Sequence, residues 1–132
     1  MIAIRTFKGA ARSESDEQRA LFEWARMAAG KWPELALMHH VPNGGKRHKA
    51  TAARLKAEGL RAGVPDICLP VARGPWHGLY IELKAGGGRL SEAQKWWLSA
   101  LAKEGYRAEA ARGFDEARDL VLDYLRWGAV RC

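Results

Sequence analysis

The sequence predicts an α/β domain, and three observations carry that expectation. Segments with apolar residues at helical spacing alternate with short apolar runs. Glycines and prolines punctuate the junctions between them. Two of the apolar runs, 66–71 and 78–84, lie close enough in sequence to form a hairpin. At 132 residues, with 48% hydrophobic residues, the chain suits one compact unit and is too apolar to be disordered.

Residues 1–12 carry Arg5, Lys8 and Arg12 with little pattern and read as a flexible basic arm, which leaves 13–132 as a single domain. Ser13 is a suitable N-cap, and Glu14, Asp16 and Glu17 load the following turn with negative charge, so a helix starts there. Leu21, Trp24, Ala25 and Ala28 continue it at helical spacing; Gly30 ends it and Pro33 blocks its continuation. Residues 35–41 read as a first strand, and Pro42-Asn43-Gly44-Gly45 as a turn whose residues tolerate positive φ. A short basic helix over 47–58 follows, then a glycine-bracketed loop leading to Pro65-Asp66. Strands are expected over 66–71 and 78–84, joined by Arg73-Gly74-Pro75-Trp76-His77-Gly78. A hairpin centred near residue 75 sets Asp66 opposite Leu83, beside Glu82 and Lys84, unless a bulge shifts the register. Gly86-Gly87-Gly88 forms a loop, and Ser91 caps a helix with Trp97, Leu98 and Leu101 on its inner stripe, ended by Gly105. A fourth strand over 106–111 and a last helix over about 115–126 complete the order α β α β β α β α.

The formal net charge of +7 favours polyanionic partners, nucleic acid above all. No run of about 18 apolar residues exists, so no membrane-spanning helix is expected. Cys68 and Cys132 lack metal-ligand spacing and suggest no disulfide framework. Cys68 reads as a buried free thiol, and the N-terminus lacks the pattern of a secretion signal, so a reducing cytoplasm is the expected location.

The chemistry concentrates in two segments, Gly63-Val64-Pro65-Asp66-Ile67 and Leu79-Tyr80-Ile81-Glu82-Leu83-Lys84. Glu82 and Lys84 are two apart on a strand, so their side chains leave the same face. Asp66, one strand earlier, brings a second carboxylate to the same point. Phosphodiester hydrolysis needs an activated water, an electrophilic phosphorus and a stabilised leaving oxygen. A divalent cation on Asp66, Glu82 and the main-chain carbonyl of Leu83 suits that task, with Lys84 orienting the nucleophile or offsetting phosphate charge. In such a mixed-charge cluster all three groups are expected to stay ionised at neutral pH. The competing reading is a strand-end salt bridge of about 0–1 kcal/mol.

Pro65-Asp66 followed by Glu82-Leu83-Lys84 resembles the motif of the PD-(D/E)XK nuclease superfamily, and more narrowly a small stand-alone VRR-NUC domain of the phage and bacterial type. The resemblance runs from about Glu14 to Leu125. It takes in Glu14 with Gln18, Val41 to Arg47, Gly59, Gly63 to Asp66, Ile81 to Lys84, Gly88-Arg89-Leu90-Ser91 with Gln94, and Gly105-Tyr106. It implies a restriction-endonuclease-like fold with a central mixed β-sheet flanked by α-helices. It also implies Mg²⁺- or Mn²⁺-dependent DNA cleavage, without an organic cofactor, by a homodimer acting on branched DNA such as a four-way (Holliday) junction. Asp66 and Glu82 carry over as metal ligands and Lys84 as the catalytic lysine; Gln94 is placed at the site. Glu14 is the preferred first-helix acid, with Glu17 one turn along as the alternative.

Asn43, Gly44 and Gly45 offer backbone N–H groups for close approach to phosphate, and Lys46, Arg47 and Lys49 add positive charge, so these six are the expected DNA contacts. His39, His40, Asn43 and His48 invite a histidine-metal nuclease reading, which the opposite directions of adjacent strand side chains disfavour. His40 is expected to pack near the site or bond a phosphate. Trp97 is expected in the core and Trp76 against a base or a partner subunit; Trp96 is assigned to either a dimer interface or plain surface. A non-catalytic DNA-binding module and an unrelated basic RNA-binding or assembly factor are the rival functions.

Overall fold

The computed structural model describes residues 12–42 and 49–128. The expected arm up to residue 11, the turn residues Asn43, Gly44 and Gly45, the basic residues Lys46, Arg47 and His48, and Cys132 lie outside them. Four helices and four short strands follow one another in the predicted order: α1 (Glu14–Ala28), β1 (His39–His40), α2 (Lys49–Ala57), β2 (Ile67–Leu69), β3 (Leu79–Lys84), α3 (Glu92–Lys103), β4 (Arg107–Arg112) and α4 (Gly113–Leu125). The sheet order is β1-β2-β3-β4; the first two pairings are antiparallel and β3 pairs β4 in parallel. A parallel pair needs a crossover, and α3 supplies it.

Both reciprocal caps expected of a serine three residues before a polar partner are present. Ser13 bonds the Asp16 amide while Asp16 returns a bond to Ser13, and Ser91 and Gln94 do the same for α3. α1 and α4 pack on one sheet face, where Leu21, Ala25, Phe114, Ala117, Val121 and Tyr124 bury Ile67, Leu69, Leu79, Ile81 and Leu83. Tyr80, Glu82 and Lys84 alternate onto the opposite face, and α3 lies over that side against β4. Ala108 and Ala110 of β4, in register with Tyr80 and Glu82, keep that side shallow enough for the crossover helix.

The structure corrects the expected strand over 35–41. Pro33 to Leu37 form a 3-10 helix with the proline in its first turn, and only His39 and His40 pair with β2. Leu35 and Met38 are buried three residues apart, the spacing of a 3-10 turn, whereas a strand would bury alternate residues. Glu34 is held by Arg73 of the hairpin turn. The basic helix begins at Lys49 among the described residues and buries none of its own residues.

The hairpin register is the second correction. Ile67 stands opposite Ile81 and Leu69 opposite Leu79, so continuing the ladder places Asp66 opposite Glu82, not Leu83. The turn itself is bridged Arg73 to Trp76, one residue out of step with the ladder. Pro70-Val71-Ala72 absorbs the difference, with the Val71 amide turned back on the Leu69 carbonyl. Trp76 does not face outward from that turn. Its ring stands 6.0 Å from Tyr124 and 5.2 Å from Trp127, with the Arg107 guanidinium 5.1 Å away over its face.

Cys68 is a buried free thiol, as expected. Among the described residues no helix is long and apolar enough to cross a membrane.

Candidate active site

The period-two spacing of Glu82 and Lys84 puts both on the α3 side of β3, with Lys84 Nζ 3.7 Å from Glu82 Oε1. Glu82 is 2% exposed and Lys84 9%, far more buried than a surface ion pair. Asp66 comes from the residue just before β2, and its Oδ2 accepts from the Leu83 amide at 2.9 Å. Because β2 begins only at Ile67, that amide has no ladder partner, and the Asp66 side chain takes the place of one. N–H and C=O of one strand residue leave by the same edge, so the Leu83 carbonyl is directed toward Asp66 as well.

Gln94 does two things at once. Its Oε1 caps α3 by accepting from the Ser91 amide at 2.8 Å, and its Nε2 donates to Glu82 Oε1 at 2.7 Å. The capping box therefore aims an amide at the buried carboxyl. Glu14, in the first turn of α1, places Oε1 3.9 Å from Lys84 Nζ. Glu17 faces elsewhere. Its Oε2 accepts from the Phe114 amide at 2.6 Å, and its Oε1 lies 3.6 Å from Arg12. Glu17 thus caps α4, whose own N-cap, Arg112, makes no capping bond with its side chain. Of the two acids the structure brings Glu14 to the cluster. Glu17→Ala is expected to cost about 1–2 kcal/mol of stability through the lost cap, read as a lower denaturation midpoint.

The carboxyls do not both ionise freely, contrary to the expectation from sequence. Burial pushes Glu82 up to about 8, the neighbouring Asp66 charge adds to this, and Lys84 only partly offsets them. Burial also raises Asp66, against the Leu83 N–H, which favours its charged form. One residue with two large reasons to stay protonated beside a second carboxylate is a pair short of positive charge. Glu82 Oε2 is buried and receives no donor among the described residues, and while Glu82 stays protonated its carboxyl shares a hydrogen bond with Asp66. These observations fit a bound cation, which would satisfy that oxygen and favour both charged forms. Among the described residues no group of three or more His, Cys, Asp and Glu is arranged around one point. Two carboxylates and a main-chain carbonyl could serve as oxygen donors to a hard divalent cation.

The described histidines do not converge: His39 bonds the Leu37 carbonyl at 3.0 Å, and His40 the Asp66 carbonyl at 2.9 Å. His40 Nδ1 faces an acceptor and so carries the proton in that contact. It helps the Val41 amide, 2.7 Å from the same carbonyl, fix the Asp66 backbone. Of the expected DNA contacts only Lys49 is described, exposed at the start of α2. Two positioning devices escaped sequence reasoning. Arg112 Nη1 donates to the carbonyls of Gly86 and Gly88, at 3.0 and 2.8 Å, and so pins the loop between Lys84 and α3. Trp97, expected in the core, is only half-buried; its Nε1 donates to the Ala62 carbonyl at 3.1 Å and holds the loop that delivers Asp66. Gly63 lies between them at φ +89°, with any Cβ falling 2.7 Å from the Ala93 backbone. Gly63→Ala is expected to cost about 1–3 kcal/mol and to move Asp66, read as a lower melting temperature together with weaker divalent-ion binding.

The VRR-NUC domain model matches residues 12–115, which span the first-helix acid, Asp66, Glu82, Lys84 and Gln94. The chain belongs to the VRR-NUC family. It is also similar to a solved structure described as a VRR_NUC domain protein, at 34% identity and TM-score 0.78, over 91% of this chain and 93% of the other. The comparison with curated proteins gives no match. The VRR-NUC domain belongs to the PD-(D/E)XK superfamily, so its mixed sheet with helices on both faces is a nuclease-type fold and its function is DNA-related. In this VRR-NUC domain the carboxylate pair sits just beyond Ile67 and Ile81, the last paired residues of the hairpin.

Proposed function

We propose that this chain, through one domain over residues 13–132, is a Mg²⁺- or Mn²⁺-dependent DNA endonuclease that cuts branched DNA as a homodimer. The observation that carries the reading is the buried Glu82 Oε2, which receives no donor among the described residues, beside Asp66 and Lys84. A protein that only binds DNA has no use for a buried carboxylate beside a second, half-buried one where they repel a phosphate backbone, and a structural salt bridge has no use for a carboxylate oxygen left without a donor.

Asp66, Glu82 and the Leu83 carbonyl would hold the cation. When bound, it supplies Lewis acidity at the scissile phosphate and offsets charge on the leaving oxygen. The residues do the rest. Gln94 fixes the Glu82 rotamer through one N–H, leaving Oε2 for the ion. The Leu83 amide fixes Asp66 in the same way. Lys84 donates to the attacking water or to a non-bridging phosphate oxygen, and Glu14 holds the Lys84 side chain at the mouth of the site. Water gives one proton to solvent as its oxygen bonds phosphorus, the P–O bond to the leaving sugar oxygen breaks, and that oxygen takes up a proton from solvent.

The basic charge, with Lys49 at the edge of the described structure and Asn43, Gly44, Gly45, Lys46 and Arg47 before it, supports DNA as the substrate. Family resemblance and size support the dimer: a domain this small covers part of a junction, and paired cuts need two copies. Free Cys68 accords with work in a reducing cytoplasm. Labelled duplex, flap, fork and four-way substrates incubated with Mg²⁺ or with EDTA test the reading. Cleavage is expected only with the metal and fastest on a branched substrate. Equal products from wild type and Asp66→Asn, after removal of contaminating nuclease, overturn it.

A further inference from the structure

A groove between α2 and α3 lies outside the carboxylate cluster, and the cleavage chemistry leaves it unused. Its volume is about 910 Å³, and its walls include Lys56, Leu60, Arg61, Ala93, Trp96 and Trp97. None of the lining residues is acidic. The acids nearest in sequence are already engaged: Glu58 pairs with Arg54 at 3.2 Å, and Glu92 with Lys95 at 3.3 Å. Among the described residues Lys56 and Arg61 make no ion pair, so the groove presents two uncompensated cations around an apolar floor.

Trp96 is 64% exposed, an unusual cost for an indole on a small protein. It stands edge-on to Trp97, with ring centroids 5.6 Å apart at 90°. Trp97 is fixed by its bond to Ala62, and Trp96 is the more exposed ring of the pair. α2 buries none of its residues, so its packing on the sheet does not explain what the groove side accommodates. An aromatic face flanked by Lys and Arg matches a nucleobase and its phosphates. Away from a duplex end, only an unpaired base has a face to offer, because both faces of an internal duplex base are already stacked.

The groove shares its walls with the site. Gly63, three residues before Asp66, abuts Ala93, and Ala93 precedes Gln94, which holds Glu82. Arg61 and Ala62 of the same loop line the groove, so one short segment connects it to Asp66.

We propose that this groove binds an unpaired nucleotide of the DNA substrate, stacking its base on Trp96 and holding its phosphates with Lys56 and Arg61. The inference rests on the nuclease reading and supplies a physical basis for preferring branched DNA. A second copy of the chain seated on Trp96 is the competing occupant, and the test separates the two.

The test uses duplexes with and without a short unpaired branch carrying 2-aminopurine, bound by wild type, Trp96→Ala and Trp96→Phe in EDTA so that nothing is cut. Wild type is expected to quench the 2-aminopurine by stacking and to favour the branched over the blunt duplex about tenfold, the size of one stacking contact. Trp96→Ala should lose the quench and bring the ratio near one; Trp96→Phe should keep part of both. Lys56→Ala combined with Arg61→Ala should flatten the salt dependence of branch binding. An unchanged quench and ratio in Trp96→Ala overturns the proposal. So does a change from dimer to monomer on sedimentation with the quench intact. Mg²⁺-dependent cleavage by wild type without any Trp96 effect sinks the groove alone. A Trp96-dependent quench without any cleavage sinks the nuclease reading and leaves the groove as a DNA site.

Discussion

Metal-free Glu82→Gln protein is expected to melt higher than metal-free wild type at pH 8, while losing its cleavage. The sign follows from linkage. Glu82 titrates near 8 in the fold against an ordinary carboxyl value of 4.5. Below about pH 4.5 folded and unfolded chains both hold that proton, and the site costs nothing. Between about 4.5 and 8 the unfolded chain has released the proton and the folded chain has not, so stability falls as pH rises through the window. Above 8 the folded chain carries the buried charge at full cost. Glutamine removes the titration and keeps the shape. Its amide oxygen can still accept from Gln94, and its NH₂ faces Asp66, the residue whose charge opposes ionisation of Glu82. The gain at the top of the window is on the order of 2–4 kcal/mol, or roughly 10 °C in melting temperature for a domain of this length. At pH 5 the two proteins should differ little. Divalent metal should close that gap: it raises wild-type stability by mass action, about 2.7 kcal/mol at a hundredfold excess over Kd and about 4.1 kcal/mol at a thousandfold, where the order should reverse, and leaves Glu82→Gln nearly unmoved. Melting curves at pH 5 and 8, with and without Mn²⁺, check each limb.

Lys84→Ala should slow cleavage about 10²–10³-fold without weakening the metal site. The ammonium sits 3.7 Å from Glu82 and 3.9 Å from Glu14, where it competes with a cation for the carboxylate and balances charge near the phosphate. Removing it takes away one fixed positive donor from the reacting centre, a loss of about 10²–10³ in rate, or about 3–4 kcal/mol of barrier. The same change removes a charge that repels Mn²⁺, so ion affinity should hold or tighten. That opposition is diagnostic, since a lysine needed only for folding would lose both together. Lys84→Arg retains the charge but spreads it over a planar fork that cannot occupy the same buried point, and should recover only part of the rate. Single-turnover cleavage and calorimetric Mn²⁺ titration of the same preparations give the two readouts.

Much of this was legible from local rules. Ser13 and Ser91 announce helix starts because a cap is a three-residue affair, and Glu82 and Lys84 share a face because a strand alternates whatever surrounds it. The 3-10 helix at Pro33 was not legible, since Leu35-Ala36-Leu37-Met38 is apolar enough to read as a strand and its burial pattern depends on Glu34 finding Arg73. The register missed by one because the turn 73–76 was placed well but the offset at Pro70-Val71-Ala72 was not. The roles of Glu17 and Arg112 depend on partners distant in sequence, Phe114 for one and the Gly86–Gly88 loop for the other. Gln94 stood at the site by family resemblance, but its double bond to Ser91 and Glu82 is a property of the packed helix. The ionisation of the carboxyl pair is not legible in the sequence for the same reason: charge balance can be counted there, and burial cannot.

The account stands on a cation bridging Asp66 and Glu82. A crystal soaked in Mn²⁺ and measured for anomalous scattering reads this directly. A peak touching both carboxylates, with Glu82 Oε2 engaged and Gln94 still on Oε1, is the expected result. A peak elsewhere, or none while Mn²⁺-dependent cleavage persists in solution, contradicts it.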